Sequence, residues 1–156
     1  MKKVEIGKKI INFKAESTNK DEFILKDQMG SYIVMFFYPK DNTPGCTQEG
    51  LDFSNNLEKF KKLNTKIYGV SRDSIKSHDN FKNKYKYKFD LISDPDEYLC
   101  NLFGVMKEKS MFGKKYMGIE RSTFIVDTKR TLIKEWRKVK VNGHSDEVLQ
   151  YIKNLN

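Results

Sequence analysis

The sequence predicts an α/β fold, a mixed central sheet flanked by helices, and three stretches carry that prediction. Tyr32–Phe37 and Thr65–Ser71 are short runs rich in apolar, β-branched and aromatic residues, the pattern of strands buried on both faces. Between them, a proline-free segment from Cys46 to Leu63 sets apolar residues such as Leu51 and Leu57 among lysines and glutamates at helical spacing. Strand, crossover helix and strand form a right-handed parallel unit. The 156 residues suit one domain, 1–156, with a substantial core, because no Pro-, Gly- or Ser-rich linker and no repeat divides them.

The remaining elements follow in chain order. Ile10–Phe13 and Glu22–Leu25 read as extended pieces joined through Ser17–Asp21 and ended near Gly30, an N-terminal β-hairpin. After the second buried strand, Asp73 or Ser74 caps a helix on which Ile75, His78, Phe81 and Tyr85 recur at steps of three and four residues. His78 on that stripe is expected to be a packed or hydrogen-bonded helix residue. Phe89–Ile92 gives a short strand, and Asp94-Pro95 opens a helix through Phe103 that Gly104 ends. Val105–Gly118, punctuated by lysine and glycine, is a loop or ribbon near the site. Ser122–Val126 and Thr131–Trp136 form two strands around the turn Asp127–Arg130. A last amphipathic helix, Ser145–Leu155, turns Val148, Leu149 and Ile152 inward, with His144 expected on the surface of the loop before it.

Composition excludes several classes. The net charge of +9 and pI of about 9.4 come mostly from lysines dispersed among acids, without a basic arm or an aromatic RNA-binding motif. A lysine-rich solvated surface is the reading, and no specific nucleic-acid partner is expected. The lysines of Met1-Lys2-Lys3 are followed by Glu5, Lys8, Lys9, Asn12 and Lys14, which leave no apolar signal-peptide core. The longest strongly apolar run, Tyr32–Phe37, is far too short to span a bilayer, so a cytoplasmic protein without a membrane partner is expected. Two cysteines are too few for a secreted disulfide framework, which points to a reducing compartment and an individually functional thiol. Cys46, His78, Cys100 and His144 lack the paired short spacings of a zinc site, so no metal is expected.

The chemistry concentrates in Tyr38–Glu49, directly after the first buried strand. Thr43 is a favoured N-cap, Pro44 fits the first helical position, and Cys46 falls at the third. First-turn N–H groups have no intrahelical acceptor, and the aligned peptide dipoles place partial positive charge there. Cysteines so placed ionise well below ~8.5, in the range of roughly 3.5 to 7.5, and are nucleophiles at neutral pH. The bland alternative is a buried thiol acting as a small apolar residue.

Pro39-x-x-x-Thr43-x-x-Cys46, within FFYPKDNTPGCTQE, resembles the active-site signature of the peroxiredoxins, and of the bacterioferritin comigratory protein/PrxQ subfamily in particular. The resemblance continues through Gly69–Ser74, Leu91–Pro95, Phe103–Val105 and Gly118–Asp127, in the family's order and over nearly the whole chain. It implies a thioredoxin-like fold and a peroxidase for hydrogen peroxide and organic hydroperoxides, without a cofactor. Cys46 would be the attacking thiolate that becomes a sulfenic acid, and thioredoxin or a low-molecular-weight thiol would recycle it. By the same resemblance Arg121 supplies a guanidinium beside the sulfur, Pro39 shields it, and Glu49 holds the arginine or the loop by hydrogen bonding. Gly45 and Cys46 N–H groups would donate to peroxide, and the Thr43 hydroxyl would accept from peroxide or donate to sulfur. A monomer or weak dimer is expected.

The chain departs from a common subfamily pattern. Five residues beyond Cys46, where many relatives carry a resolving cysteine, stands Leu51, and the His78–Tyr85 helix has no cysteine either. Cys100 is the one other candidate, and its neighbours Leu99, Leu102 and Phe103 suit a core thiol better than a resolving one. A thioredoxin-type dithiol centre fails because neither Thr43 nor Glu49 supplies the second cysteine of Cys-x-x-Cys. A glutathione-peroxidase-like enzyme lacks its glutamine–tryptophan pairing, since the single Trp136 sits late in the chain. The alternative of a different class is a non-catalytic peroxide sensor or thiol-based chaperone that uses Cys46 oxidation to alter binding.

Overall fold

A computed structural model describes residues 2–19 and 22–155. The strands are β1 (Lys14–Ser17), β2 (Glu22–Ile24), β3 (Tyr32–Phe37), β4 (Thr65–Ser71), β5 (Asp90–Ser93), β6 (Met106–Met111), β7 (Lys114–Ile119), β8 (Ser122–Val126) and β9 (Leu132–Trp136). The helices are α1 (Pro44–Lys62), α2 (Ile75–Tyr85), α3 (Tyr98–Leu102) and α4 (His144–Asn154). Among the described residues, seven strands form one mixed sheet in the order β2-β1-β5-β4-β3-β8-β9, while β6 and β7 pair with each other as a separate ribbon. The central strands β3, β4 and β5 are parallel, and β8 runs antiparallel to β3.

Alternation along β3 divides the core in two. Ile33, Met35 and Phe37 face one layer, with Phe103, Cys100 and Phe124; Val34, Phe36 and Tyr38 face the other, with Cys46, Phe53, Phe60 and Ile152. The second layer receives α1, α2 and α4 on one face of the sheet. The first is closed by α3 and by the N-terminal residues Ile10 and Phe13. This is the thioredoxin-like arrangement with helices on both faces that the sequence predicted.

Several elements differ from expectation. The hairpin exists, but its first strand is Lys14–Ser17, not Ile10–Phe13. Ile10 and Phe13 plug the core while Ile11 stays in solvent, a three-residue step that no strand can present. Of the expected Ser17–Asp21 connection, Lys20 and Asp21 lie outside the described residues. On α1 the apolar face is Phe53, Leu57 and Phe60, whereas Leu51 is only half-buried. The helix after Asp94-Pro95 begins only at Tyr98, because the Asp94 carboxylate reaches forward to accept from Leu99 and Cys100 N–H groups at 3.0 and 2.8 Å.

His144 is the largest correction. It is buried as the first residue of α4, with Nε2 at 2.8 Å from Thr123 Oγ1 and Nδ1 at 3.0 Å from Glu147. Its ring meets Trp136 and Phe53 edge-on. A histidine that reads as loop from its neighbours is packed by strand β8, remote in sequence. Among the described residues, no helix is long and apolar enough to cross a membrane.

Candidate active site

The site stands where β3 hands the chain to α1. Val34–Tyr38 is fully buried, so the chain leaves the sheet at a fixed point, and Pro39 follows half-buried at the exit. Tyr38 Oη donates to Asp41 Oδ1 at 2.7 Å, and Ser77 Oγ to Asp41 Oδ2 at 2.7 Å. His78, wholly buried on α2, sets Nδ1 at 2.8 Å from Asp41 Oδ2 and Nε2 at 2.9 Å from the Ile92 carbonyl. Asp73 Oδ2 accepts from the Asp41 N–H at 3.0 Å and from Ser71 Oγ at 2.6 Å. This network pins the loop that carries Pro39 and Thr43. Sequence reading placed His78 correctly as hydrogen-bonded, but missed Tyr38 and Asp41 as its partners.

Asp41, Asp73 and His78 are also the one group, among the described residues, whose ligand atoms lie close enough together to hold a metal ion, within 4.8 Å. Hydrogen bonds already occupy Asp73 Oδ2, both Asp41 oxygens and His78 Nδ1, so the group reads as a brace.

Helix α1 then starts as the sequence predicted, with Thr43 at the N-cap position, Pro44 first and Cys46 third. One detail differs: the Thr43 hydroxyl makes no capping bond and donates to the Lys40 carbonyl at 2.8 Å. Its proton is thereby committed, which leaves the oxygen free to accept but not to donate to sulfur.

Cys46 is 2% exposed. Arg121, just before β8, lays its guanidinium between two partners: Nη2 donates to Cys46 Sγ at 3.4 Å, and Nη1 to Glu49 Oε1 at 2.7 Å. Glycine at position 45 permits the approach, because a Cβ there would lie 3.2 Å from Nη2. Burial pushes the Glu49 carboxyl up to about 7 against the pull of Arg121, and its Oε2 is buried without a hydrogen-bond partner among the described residues. Burial opposes charge on Arg121 as well, but Glu49 and the Cys46 sulfur together hold it further in its cationic form.

The structure thus gathers Cys46, Gly45, Glu49 and Arg121, sets Thr43 and Pro39 on the adjoining loop, and leaves Cys100 apart. Cys100 lies wholly buried in the packing layer on the opposite face of the sheet from Cys46. Burial first, and the Asp94 carboxylate second, push its thiol far above the usual cysteine range. A polar cleft of about 640 Å³, lined by Gly45, Gln48, Asp52, Asn142 and Asp146 among others, opens beside the first turn of α1. The β6–β7 ribbon borders the site too: burial, then the Arg121 charge, push the Lys109 ammonium downward.

A thioredoxin-like sheet that holds a cysteine in the first turn of a helix, against a guanidinium, defines a thiol-based redox protein. Comparison with known proteins narrows the class. The AhpC/TSA family model matches residues 6–135. A Xanthomonas campestris peroxiredoxin Bcp is 55% identical over 129 residues, 83% of this chain and 81% of that protein. The Bacillus subtilis peroxiredoxin Bcp is 47% identical over 153 residues, 98% of each. Among solved structures, a Xylella fastidiosa PrxQ variant superposes with a TM-score of 0.93 at 41% identity, covering 99% of this chain and 98% of that one. The chain belongs to the AhpC/TSA family, with the Bcp/PrxQ peroxiredoxins as its relatives, and is a thiol peroxidase.

Proposed function

We propose that the whole chain, 1–156, acts as one cytoplasmic domain that reduces hydrogen peroxide and organic hydroperoxides at Cys46. The observation that carries this is the Arg121 guanidinium, 3.4 Å from Cys46 Sγ and itself held by buried Glu49. The guanidinium sets a fixed donor on the sulfur and keeps further N–H groups to offer a peroxide oxygen beside it. The N–H groups of Gly45 and Cys46 add donors, and the free lone pairs of the Thr43 hydroxyl accept a hydrogen bond from the peroxide O–H. Pro39, at the strand exit, keeps water from the sulfur.

In the first step the thiolate attacks one peroxide oxygen and the O–O bond breaks. Cys46 becomes a sulfenic acid, and the other oxygen leaves as an alkoxide or hydroxide that takes up a proton. In the second, a reductant thiol attacks the sulfenate sulfur, releasing water and forming a mixed disulfide. A further thiol then displaces Cys46 and carries off the disulfide.

Because Cys100 lies across the sheet, the reading is a one-cysteine cycle with thioredoxin or a small thiol as the donor. Support for the organic substrates comes from a Xanthomonas campestris bacterioferritin comigratory protein, 49% identical with a TM-score of 0.87 over 91% of this chain and 90% of that one, whose trapped complexes address alkyl peroxide reduction. Cys46 as a residue is only 2% exposed, too little for a protein thiol to reach its sulfur, so recycling by thioredoxin requires the first turn of α1 to open.

The test is turnover with thioredoxin, thioredoxin reductase and NADPH. Wild type should consume hydroperoxide continuously and Cys46→Ser not at all. A single stoichiometric oxidation of wild type would favour a peroxide sensor instead.

A further inference from the structure

The outer half of the β6–β7 ribbon has no part in the site just described. Met111, Phe112, Tyr116 and Met117 are 56, 98, 43 and 55% exposed, four of the eight exposed large apolar side chains among the described residues. Their grouping on one finger marks an interaction patch, where scattered single residues would mark none.

The backbone strengthens the point. Phe112 and Gly113 form the two-residue turn, and both have positive φ, +53° and +78°. That geometry favours asparagine before glycine, and a bulky residue there is strained. Phe112 recovers none of that cost by packing, since it is almost entirely in solvent. Folding therefore gives no reason for a phenylalanine at this tip.

Charge indicates the occupant. Lys107, Lys109, Lys114 and Lys115 crowd the ribbon against the single acid Glu108, which pairs with Lys115 at 3.6 Å. The register sets Met111 opposite Lys114 and Tyr116 opposite Lys109 on one face, with Lys115 and Met117 on the other. Both faces thus present lysines behind an apolar tip, the arrangement of segments that sit in the headgroup layer of an anionic bilayer.

We propose that the β6–β7 ribbon docks this protein on an anionic lipid surface, with Phe112 and Met111 entering the interface and the exposed Lys107, Lys114 and Lys115 meeting headgroup phosphates. A second copy of the chain is a poorer occupant, because each carries a net charge of +9. A rigid partner protein would need a pocket to match a convex tip, whereas a lipid interface opens around it. The lack of an apolar span, which led the sequence to predict no membrane partner, does not bear on surface docking. Ile119 ends the ribbon two residues before Arg121, so docking would also hold the site near hydroperoxides that gather at the interface. That consequence rests on the peroxidase reading; the docking does not.

Co-sedimentation of the full chain with phosphatidylcholine vesicles, with and without phosphatidylglycerol, tests the proposal. Wild type should bind the anionic vesicles and be released by added salt. Phe112→Asn keeps every charge and gives the turn its favoured residue, so its melting temperature should be unchanged or raised. Its vesicle partition should fall by about 10- to 100-fold. Equal binding by wild type and Phe112→Asn would overturn the proposal in favour of diffuse charge attraction, and so would a wild type that ignores both vesicles. Concentration-dependent self-association lost in Phe112→Asn would assign the tip to a second copy and overturn it too. Turnover in solution should be the same in both proteins. Its absence from both would remove the peroxidase reading and leave the vesicle result to decide docking.

Discussion

Replacing Glu49 by glutamine isolates what a buried carboxylate contributes beside the sulfur. Glu49 Oε1 accepts from Arg121 at 2.7 Å, and burial raises its pKa from 4.5 to about 7. The folded protein therefore holds a proton that the unfolded chain has released, so this group's contribution to stability is full below 4.5 and declines as pH climbs to about 7. At about 1.4 kcal/mol per pH unit, the decline amounts to at most about 3 to 4 kcal/mol. Glutamine does not titrate, so Glu49→Gln should remove this slope and be the more stable protein above neutrality.

Activity should move the other way. Glutamine keeps a hydrogen bond to Arg121 but loses its charge, a difference of about 1 kcal/mol or slightly more. Sulfenate formation should slow about 5- to 15-fold. The rate of wild type should also rise through pH about 7 as Glu49 ionises and fixes Arg121, and the variant should lack that limb. Single-turnover peroxide consumption by stopped flow, with urea unfolding at matched pH, measures both. A variant that retains the limb, beside a wild type whose stability does not change over the same window, would refute the assignment of Glu49 as the titrating group.

Arg121→Ala should slow sulfenate formation by about 10²-fold or more. Arg121→Lys should restore little, because a single ammonium nitrogen lacks the rigid fork whose two nitrogens separately meet Glu49 Oε1 and Cys46 Sγ; a lysine variant at the wild-type rate, by sulfenate trapping, would show that the fork is unnecessary. Cys100→Ser should leave the first oxidation at the wild-type rate and cost no more than about 1 kcal/mol, because the hydroxyl can keep the thiol's hydrogen bond to the Asp94 carboxylate. Intact mass of peroxide-treated wild type should show no internal disulfide, and a Cys46–Cys100 bond in folded protein would overturn the one-cysteine cycle. Burial pushes His144 below its ordinary value of 6.5 against the pull of Glu147, so its contribution to stability is present above that pH and lost as pH falls further. His144→Gln should flatten this acid limb in denaturant titrations, and an unchanged limb would point to another group.

What local pattern encodes was legible. Strands β3 and β4 fall on the predicted residues, because unbroken apolar runs of that length leave a chain few options. The N-terminus of α1 was equally plain, since Thr43, Pro44 and Cys46 meet at positions whose requirements are set by backbone hydrogen bonding alone. Even the ribbon and the last helix were visible as pattern. What local pattern left open was what depends on distance across the fold, and the resemblance rather than spacing set Arg121 beside Cys46. The hydrogen bond from Arg121 to Cys46 spans 75 residues of sequence, and only the antiparallel pairing of β8 with β3 brings that guanidinium to the start of α1. The same holds for Asp41 beneath Tyr38 and His78, for His144 against Thr123, and for the separation of the two cysteines by the sheet. Turn, cap and strand preferences are properties of a few adjacent residues and so survive in the sequence alone; burial, partner choice and the resulting charge states are set by which strands pair, and the tertiary structure decides them.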